Sequence, residues 1–207
     1  NLKSFGVDVI YKKANASNVD SRNKIISELA EMKNIRVKML IHSVAFGTLK
    51  NMVGDEPLTK SNIEMTQDVM SNNLIYWTQE LHENKLLSNG SHIIAMTSAG
   101  GRKNWNYYGA ISIAKAAIES IIRQLSIELA PYGISANAIQ AGVTDTAALR
   151  KIPGNEIMIN NALKINPHKR LTSPEDIADV IEMLISYESS WMTGNIINVD
   201  GGENITS

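Results

Sequence analysis

The sequence predicts an α/β domain with a doubly wound parallel sheet, and three of its features carry this prediction. Short apolar runs rich in β-branched residues alternate with longer amphipathic segments along the 207 residues, the pattern of parallel strands joined by helices. The strand core at 39–41 is apolar without alternation, as expected when helices cover both faces of a sheet. No internal repeat, low-complexity tract or linker divides the chain, so we expect one domain over 1–207.

Local signals then predict nine elements in chain order. Apolar β-branched runs predict five strands, over 7–15, 36–44, 91–98, 134–140 and 195–200. Amphipathic segments predict four helices, over 18–32, 59–87, 107–129 and 173–186. Asn18 or Asp20 caps the first helix, Pro131 and Gly133 stop the third, and Ser173 caps the fourth. The segment 46–58 contains two Gly and a Pro and is predicted to be a loop.

The composition excludes several classes of protein. A chain with 43% hydrophobic residues and a net charge of −1 is neither disordered nor built around a basic surface for nucleic acid. It has no Cys, hence no disulfide and no thiol nucleophile. Its apolar runs are far shorter than the roughly 20 residues that cross a bilayer, so we expect a cytoplasmic protein without membrane contacts. No metal site is expected, since no pair with metal-ligand spacing occurs among His42, His82, His92 and His168.

Three loops at the carboxyl ends of predicted strands combine glycines with polar residues. They are HSVAFG at 42–47, TSAGG at 97–101 and AGVTDT at 141–146. Ligands of parallel sheets bind at this edge, and glycine allows a ligand to approach the backbone closely. Taken singly, each loop is better explained by a glycine that simply ends a strand.

A Ser, a Tyr and a Lys are predicted to meet at the same edge. Tyr108 and Lys115 are seven residues apart in the third helix, which places them on one face two turns apart, and Ser98 ends the preceding strand. An ammonium near the phenol would lower the pKa of Tyr108, and a hydroxyl could hold a substrate carbonyl. The spacing leaves open a plain alternative, in which Tyr108 packs on its helix and Lys115 lies in solvent.

The sequence TSAGGRKNWNYYGAISIAKAAIESIIRQLSIELAPYGISANAIQAGVTDT, followed by TGNIINVDGG, resembles the short-chain dehydrogenase/reductase family over essentially the whole chain. Most members have a Tyr four residues before the Lys, a position held here by Ile111. Tyr108, six intervening residues and Lys115 match the enoyl-acyl-carrier-protein reductase branch, as does the His-Ser-hydrophobic sequence in HSVAFG. Ser98, where the commonest bacterial enzyme has a second Tyr, and TDTAALRKIPG resemble the third bacterial type of that branch.

The resemblance implies a Rossmann-like fold and the reduction, by NADH or NADPH, of the carbon–carbon double bond of an enoyl thioester in fatty acid synthesis. Tyr108 would stabilise the enolate, and Lys115 would bind the nicotinamide ribose. Ser98 would contact the carbonyl, unless backbone groups satisfy its hydroxyl. The remaining cofactor-binding residues implied are Asn15 and Ala16 beside the adenine, Ser43, Val44 and Ala45 under the ribose, Met96, and Gly142, Val143, Thr144 and Thr146 beside the nicotinamide and pyrophosphate.

The long connection over 145–170 is the predicted substrate-binding loop. Its length is typical of lids, and we expect short helices there that close over the acyl chain. Cations in this stretch would attract an acidic acyl carrier protein; they are Arg150, Lys151, Lys164, Lys169 and Arg170. The helix 107–129 is apolar around more than one face, and the resemblance implies a homotetramer built from paired helices and abutting C-terminal strands.

One feature departs from the family. Its members open with a strand and a glycine-rich turn that places the pyrophosphate at a helix N-terminus, and this sequence contains no Gly-x-x-x-Gly-x-Gly stretch. A strand-helix-strand-helix unit of roughly 50 residues would be missing. The sequence is part of a longer chain, a shortened protein, or a degenerate homologue that acts as a subunit or binding module. The first is favoured because residues 1–3 resemble the end of a helix and include no start Met. A dienoyl-CoA-like reductase of acyl thioesters is the alternative within the fold.

Overall fold

A parallel sheet forms the centre of the structure, a computed structural model that describes residues 5–206. Its strands are β1 (Met39–His42), β2 (His92–Ser98), β3 (Ser135–Ala141) and β4 (Ile196–Val199). They lie in the order β1-β2-β3-β4, and every neighbouring pair is parallel. Strand β4 is therefore an edge strand, as predicted.

Six α-helices connect and cover these strands within residues 5–206. They are α1 (Val19–Glu31), α2 (Lys60–Gln67), α3 (Asn73–Glu83), α4 (Gly109–Leu129), α5 (Asn155–Ile165) and α6 (Pro174–Ser186). A π-helical turn at Asp68–Asn72 joins α2 to α3, so the predicted helical segment 59–87 is one nearly continuous helical run. Asn18 caps α1 and Ser173 caps α6, both as predicted. None of these helices is long and apolar enough to cross a membrane.

Apolar cores lie on both faces of the sheet, which confirms the doubly wound α/β architecture. Ile93 and Ala95 of β2 pack on one side with α3 and α4. Ile94 and Met96, the alternate residues of the same strand, pack on the other side with α6. Because successive side chains of a strand point to opposite faces, a strand covered twice has the continuous apolar sequence observed here.

Three predictions about the elements are wrong or incomplete. Residues 7–15 form no strand: no described strand lies beside them, and a strand requires a neighbour for its backbone hydrogen bonds. The strand predicted at 36–44 shortens to β1, whose pairing with β2 begins at Met39. Tyr107 precedes α4 in a left-handed conformation with φ 66° instead of opening the helix. Residues 1–3, predicted to end a helix, lie outside the described residues.

Candidate active site

The carboxyl ends of β1, β2 and β3 meet at one edge of the sheet, where most of the predicted site residues lie. The strand order places the segments 43–45, 96–98 and 142–146 next to one another along this edge. The helix α4, which follows β2 after a short loop, packs against β2 and β3. The topology therefore gathers the predicted catalytic and cofactor-binding segments as the sequence indicated.

Ser98 and Tyr108 lie against the same glycine. A Cβ added to Gly100 would be 2.5 Å from Cε1 of Tyr108 and 3.2 Å from Oγ of Ser98, so only glycine permits this close packing. Oγ of Ser98 is buried and has no hydrogen-bond partner among the described residues. The strand-end hydroxyl is thus not satisfied by backbone groups there, and it remains available to a ligand.

The pKa of Tyr108 is shifted in the direction opposite to the one expected from the sequence. Tyr108 immediately precedes α4 and is 9% exposed, in an apolar cluster with Met70, Ile111 and Ala114. Burial raises the pKa of its phenol, and the Ser98 hydroxyl opposes this with a smaller effect. The lowering by Lys115 that the spacing predicted is absent, since burial and the Ser98 hydroxyl are the two influences on the pKa of this phenol. The phenol is consequently protonated at neutral pH.

Lys115 is buried against the sheet. The residue is only 6% exposed. Its Nζ donates a hydrogen bond to the carbonyl oxygen of Met96 at 2.8 Å. Burial lowers the pKa of the ammonium to about 8, since a buried charge loses its hydration. The alternative of a solvent-exposed Lys115 is therefore wrong.

His42 is a residue of this region to which the sequence assigned no role in the site, although it belongs to the His-Ser-hydrophobic match and was excluded as a metal ligand. It ends β1, is 4% exposed, and has no hydrogen-bond partner for either ring nitrogen among the described residues. Burial lowers its pKa to about 4, and the positive charge of Lys115 acts in the same direction. A neutral imidazole thus lies near Lys115 at pH 7. Its position as the first residue of HSVAFG, where β1 ends, is the sequence signal that points to it. Residues 5–206 contain no cluster of three His, Asp or Glu that could hold a metal ion.

The loop after β3 is held by its own contacts. The N–H of Val143 donates to both carboxylate oxygens of Glu203, at 3.2 and 3.4 Å, and burial raises the pKa of this carboxyl. Oγ1 of Thr144 donates to the carbonyl of Gly142 at 3.0 Å. The hydroxyl of Thr146 accepts a backbone hydrogen bond at the start of the 145–170 loop. Glu203 is a contact that local sequence patterns do not indicate.

Asn15 and Ala16 are positioned by a different part of the molecule. Oδ1 of Asn15 accepts a hydrogen bond from the N–H of Ser17 at 3.0 Å, which closes a tight turn. The carbonyl of Ala16 accepts one from the indole Nε1 of Trp77 in α3, also at 3.0 Å. After β1, by comparison, Val44 is half-buried between exposed Ser43 and Ala45.

The segment 145–170 contains the short helices that the sequence predicted. A 3₁₀ turn at Leu149–Lys151 precedes α5. Leu149 and Ala162 are its buried apolar residues, whereas Ile157 is 63% exposed. Few buried apolar contacts hold this segment to the sheet, a property of segments that open locally.

A parallel sheet covered on both faces, with a Ser at the end of a strand and a Tyr and a Lys around the following helix, defines a short-chain dehydrogenase/reductase. A profile of the enoyl-(acyl carrier protein) reductase family matches residues 2–204. The chain belongs to this family.

Individual relatives agree with this assignment and are longer than this chain. The enoyl-[acyl-carrier-protein] reductase [NADH] of Aquifex aeolicus is 28% identical over 204 residues, which cover 98% of this chain and 74% of that protein. Its crystal structure matches with a TM-score of 0.85, covering 98% of this chain and 78% of that one. The Staphylococcus aureus enoyl-[acyl-carrier-protein] reductase [NADPH] is 29% identical, covering 78% of this chain and 62% of that protein. The 1-cyclohexenylcarbonyl-CoA reductase of Streptomyces collinus is 34% identical, covering 59% and 45% respectively.

Proposed function

We propose that this protein reduces the carbon–carbon double bond of an enoyl thioester in fatty acid synthesis, with hydride from NADH or NADPH. The observation that carries the proposal is the packing of buried Tyr108 and Ser98 around Gly100 at the carboxyl edge of the sheet, with Lys115 buried in the helix α4 that follows Tyr108. Family membership supports the reaction class, and the relatives include both an NADH and an NADPH enzyme.

The phenol of Tyr108 would act as the donor for the substrate carbonyl. Hydride addition to the β-carbon makes an enolate, so negative charge develops on the thioester oxygen, where a fixed donor stabilises it. A donor must carry its proton, and the raised pKa of Tyr108 keeps it protonated. The unpartnered hydroxyl of Ser98 would supply a second hydrogen bond to the same oxygen.

Lys115 fits the role of a ribose-binding group. An ammonium has three donors, and the described residues take one of them, at the Met96 carbonyl. Two donors remain for the ribose hydroxyls. When bound, the nicotinamide cofactor would supply the hydride. Ser43, Val44, Ala45 and the 142–146 loop would line the same edge, and Asn15 with Ala16 would hold the adenine.

The partners follow from the same proposal. The substrate would be an acyl thioester on acyl carrier protein, covered by the segment 145–170, and the enzyme would act in the cytoplasm as a homotetramer. A second candidate, reduction of a CoA thioester, is favoured by the similarity to the Streptomyces collinus CoA reductase.

A turnover assay on the full-length protein tests these candidates. Crotonyl-carrier protein and crotonyl-CoA are each offered with NADH and with NADPH, and cofactor oxidation is followed by absorbance. Oxidation that depends on the carrier-protein thioester supports the proposal, and oxidation with the CoA thioester alone supports the second candidate. No turnover, together with no binding of either cofactor in calorimetry up to millimolar concentration, would leave the non-catalytic family member.

A further inference from the structure

Trp77 links two distant parts of the chain through its indole. Its ring packs against the core between α3, α4 and the sheet, while its Nε1 donates to the carbonyl of Ala16, 61 residues away, at 3.0 Å. An aromatic ring fixed by packing has few rotamers left to lose. The bond therefore ties the Ala16 backbone to a rigid part of the molecule.

Apart from the bond to Trp77, the turn that contains Ala16 is held by hydrogen bonds between its own residues. The side-chain oxygen of Asn15 accepts a hydrogen bond from the N–H of Ser17 at 3.0 Å. Its backbone carbonyl accepts a second one from the N–H of Asn18, also at 3.0 Å. Asn18 caps α1 by accepting from the N–H of Ser21 at 2.8 Å. In the described part of the chain, the N–H of Ala16 and the side-chain NH₂ of Asn15 form no hydrogen bond, which leaves two donor groups for a ligand.

The helix that follows the turn is held by the same face of α3. Nε of Arg22 in α1 lies 2.5 Å from Oε1 of Glu80, and its guanidinium lies 5.2 Å from the ring centroid of Tyr76. Arg22 is buried, so this pair is shielded from solvent. Tyr76, Trp77 and Glu80 together hold both the turn and the first turns of α1.

We propose that Trp77 is a positioning residue for the adenine end of the dinucleotide. The hydrogen bond from the indole of Trp77 orders the turn at Ala16 before the dinucleotide binds. The free energy of binding is then not reduced by the entropy cost of ordering this turn. This inference rests on the proposed function, because it requires a nicotinamide dinucleotide. A single neutral hydrogen bond contributes about 0.5 to 1.5 kcal/mol, which corresponds to about a two- to tenfold change in affinity.

Trp77→Phe tests the inference, with Trp191→Phe as the matched control, since Trp191 is 88% exposed. Calorimetry measures the dissociation constants of NADH, or of NADPH if the wild type prefers it, and of ADP-ribose, which keeps the adenine end and lacks the nicotinamide. We expect Trp77→Phe to weaken both ligands by the same factor, about two- to tenfold, and to leave kcat at saturating cofactor unchanged. Trp191→Phe should match the wild type in every measurement.

Two results would overturn the inference alone: wild-type affinity for both ligands in Trp77→Phe, or a fall in kcat that accompanies the loss of affinity. A wild type that binds neither NADH nor NADPH would overturn the proposed function itself. If Trp77→Phe unfolds at a lower temperature than Trp191→Phe, benzothienylalanine at position 77 replaces it, because sulfur removes the N–H while the ring shape is kept. That variant must show the same loss of affinity.

Discussion

The ammonium of Lys115 donates a hydrogen bond to the carbonyl oxygen of Met96 at 2.8 Å, and this bond joins α4 to the strand β2. Burial lowers the pKa of Lys115 to about 8, and within residues 5–206 no carboxylate forms an ion pair with its ammonium. A charge buried without a counter-ion is costly. Burial of Lys115 therefore costs stability, and the ribose-binding role proposed above would account for that cost.

Lys115→Met should make the protein more stable and less active. The folded protein disfavours the protonated amine, whose pKa is about 8 against the ordinary 10.5, and this costs about 3 kcal/mol at any pH below about 8. Removing the charge and the bond to Met96 should raise the unfolding free energy at pH 7 by about 2 kcal/mol. The gain shrinks as the pH rises from 8 to 10.5, and urea unfolding measures it.

The exposed Lys33 provides the control for this prediction. Lys33→Met should change the unfolding free energy by less than about 0.5 kcal/mol. Lys115→Met should also weaken cofactor binding, whereas Lys33→Met should not. Equal stability of Lys115→Met and the wild type would mean that burial does not penalise the ammonium.

His42 should make the fold sensitive to acid. Its pKa is about 4 in the folded protein against the ordinary 6.5, so between these values the unfolded chain binds a proton that the folded chain does not. Stability conferred by the neutral imidazole is complete above pH 6.5 and falls by about 3 kcal/mol as the pH drops to 4. His42→Gln should reduce this loss, as measured by urea unfolding at pH 7 and pH 4.5.

The exposed His168 offers a matched substitution, and His168→Gln should retain the wild-type dependence on pH. Burial also lowers the pKa of His92, but His92 is present in every variant. The difference between His42→Gln and the wild type in how steeply the unfolding free energy depends on pH therefore reports His42. Identical slopes for His42→Gln and the wild type would contradict the prediction.

Elements with local signals could be predicted from the sequence, and those that depend on distant partners could not. Asn18 and Ser173 cap helices by bonds to residues within three positions, so their role is visible in the sequence. The segment 7–15 has the composition of a strand, but a strand also requires a neighbour, which composition does not reveal. The alternation of strands and helices predicted the sheet because short crossovers leave few arrangements.

The residues of the site also divide into those with a local signal in the sequence and those that depend on distant contacts. Tyr108 and Lys115 could be predicted because one lies at the start of α4 and the other within it, so that the helical period approximately relates their directions. The contact between Glu203 and Val143 spans 60 residues, and that between Trp77 and Ala16 spans 61. Such contacts arise from packing and have no local pattern. Burial, which sets the pKa values of Tyr108 and His42, is likewise a property of the whole fold.

Tyr108→Phe should lower kcat by about 100-fold and leave cofactor affinity close to that of the wild type, because the loss of one donor to a developing oxyanion has this size. Tyr107 is the neighbouring control, because it is 41% exposed whereas Tyr108 is 9% exposed. Tyr107→Phe should keep most of the activity. Steady-state kinetics with the preferred thioester would compare them, and unchanged turnover in Tyr108→Phe would remove this phenol from the mechanism.

The segment 149–165 should become protected when ligands bind. Its buried apolar residues are few, so its amides are expected to exchange with solvent through local opening. Hydrogen exchange followed by mass spectrometry should show slower exchange here with cofactor and a thioester analogue together. The buried helix α4 serves as the internal reference and should change little. Slow exchange of 149–165 without ligands would contradict its role as a lid.

Assembly through α4 is the last expectation, and it depends on the face that this helix leaves uncovered. Ile113 and Ile127 are 42% and 69% exposed. They lie on the same side of the helix as Ala117, because Ala117 and Ile127 follow Ile113 by 4 and 14 residues and each is rotated from it by about 40° around the helix axis. Apolar residues exposed along one face indicate a partner, and a second copy could pair the same face across a two-fold axis. One two-fold contact makes a dimer, and the tetramer that the resemblance implies adds a second contact through the C-terminal strands. Light scattering at micromolar concentration should give this tetramer. Ile113→Glu should reduce it to a smaller species, because a carboxylate would be buried in the contact, while Val53→Glu, at a loop residue 82% exposed, should remain tetrameric. A monomeric wild type would refute the assembly, and a tetrameric Ile113→Glu would exclude this face of α4 from the interface.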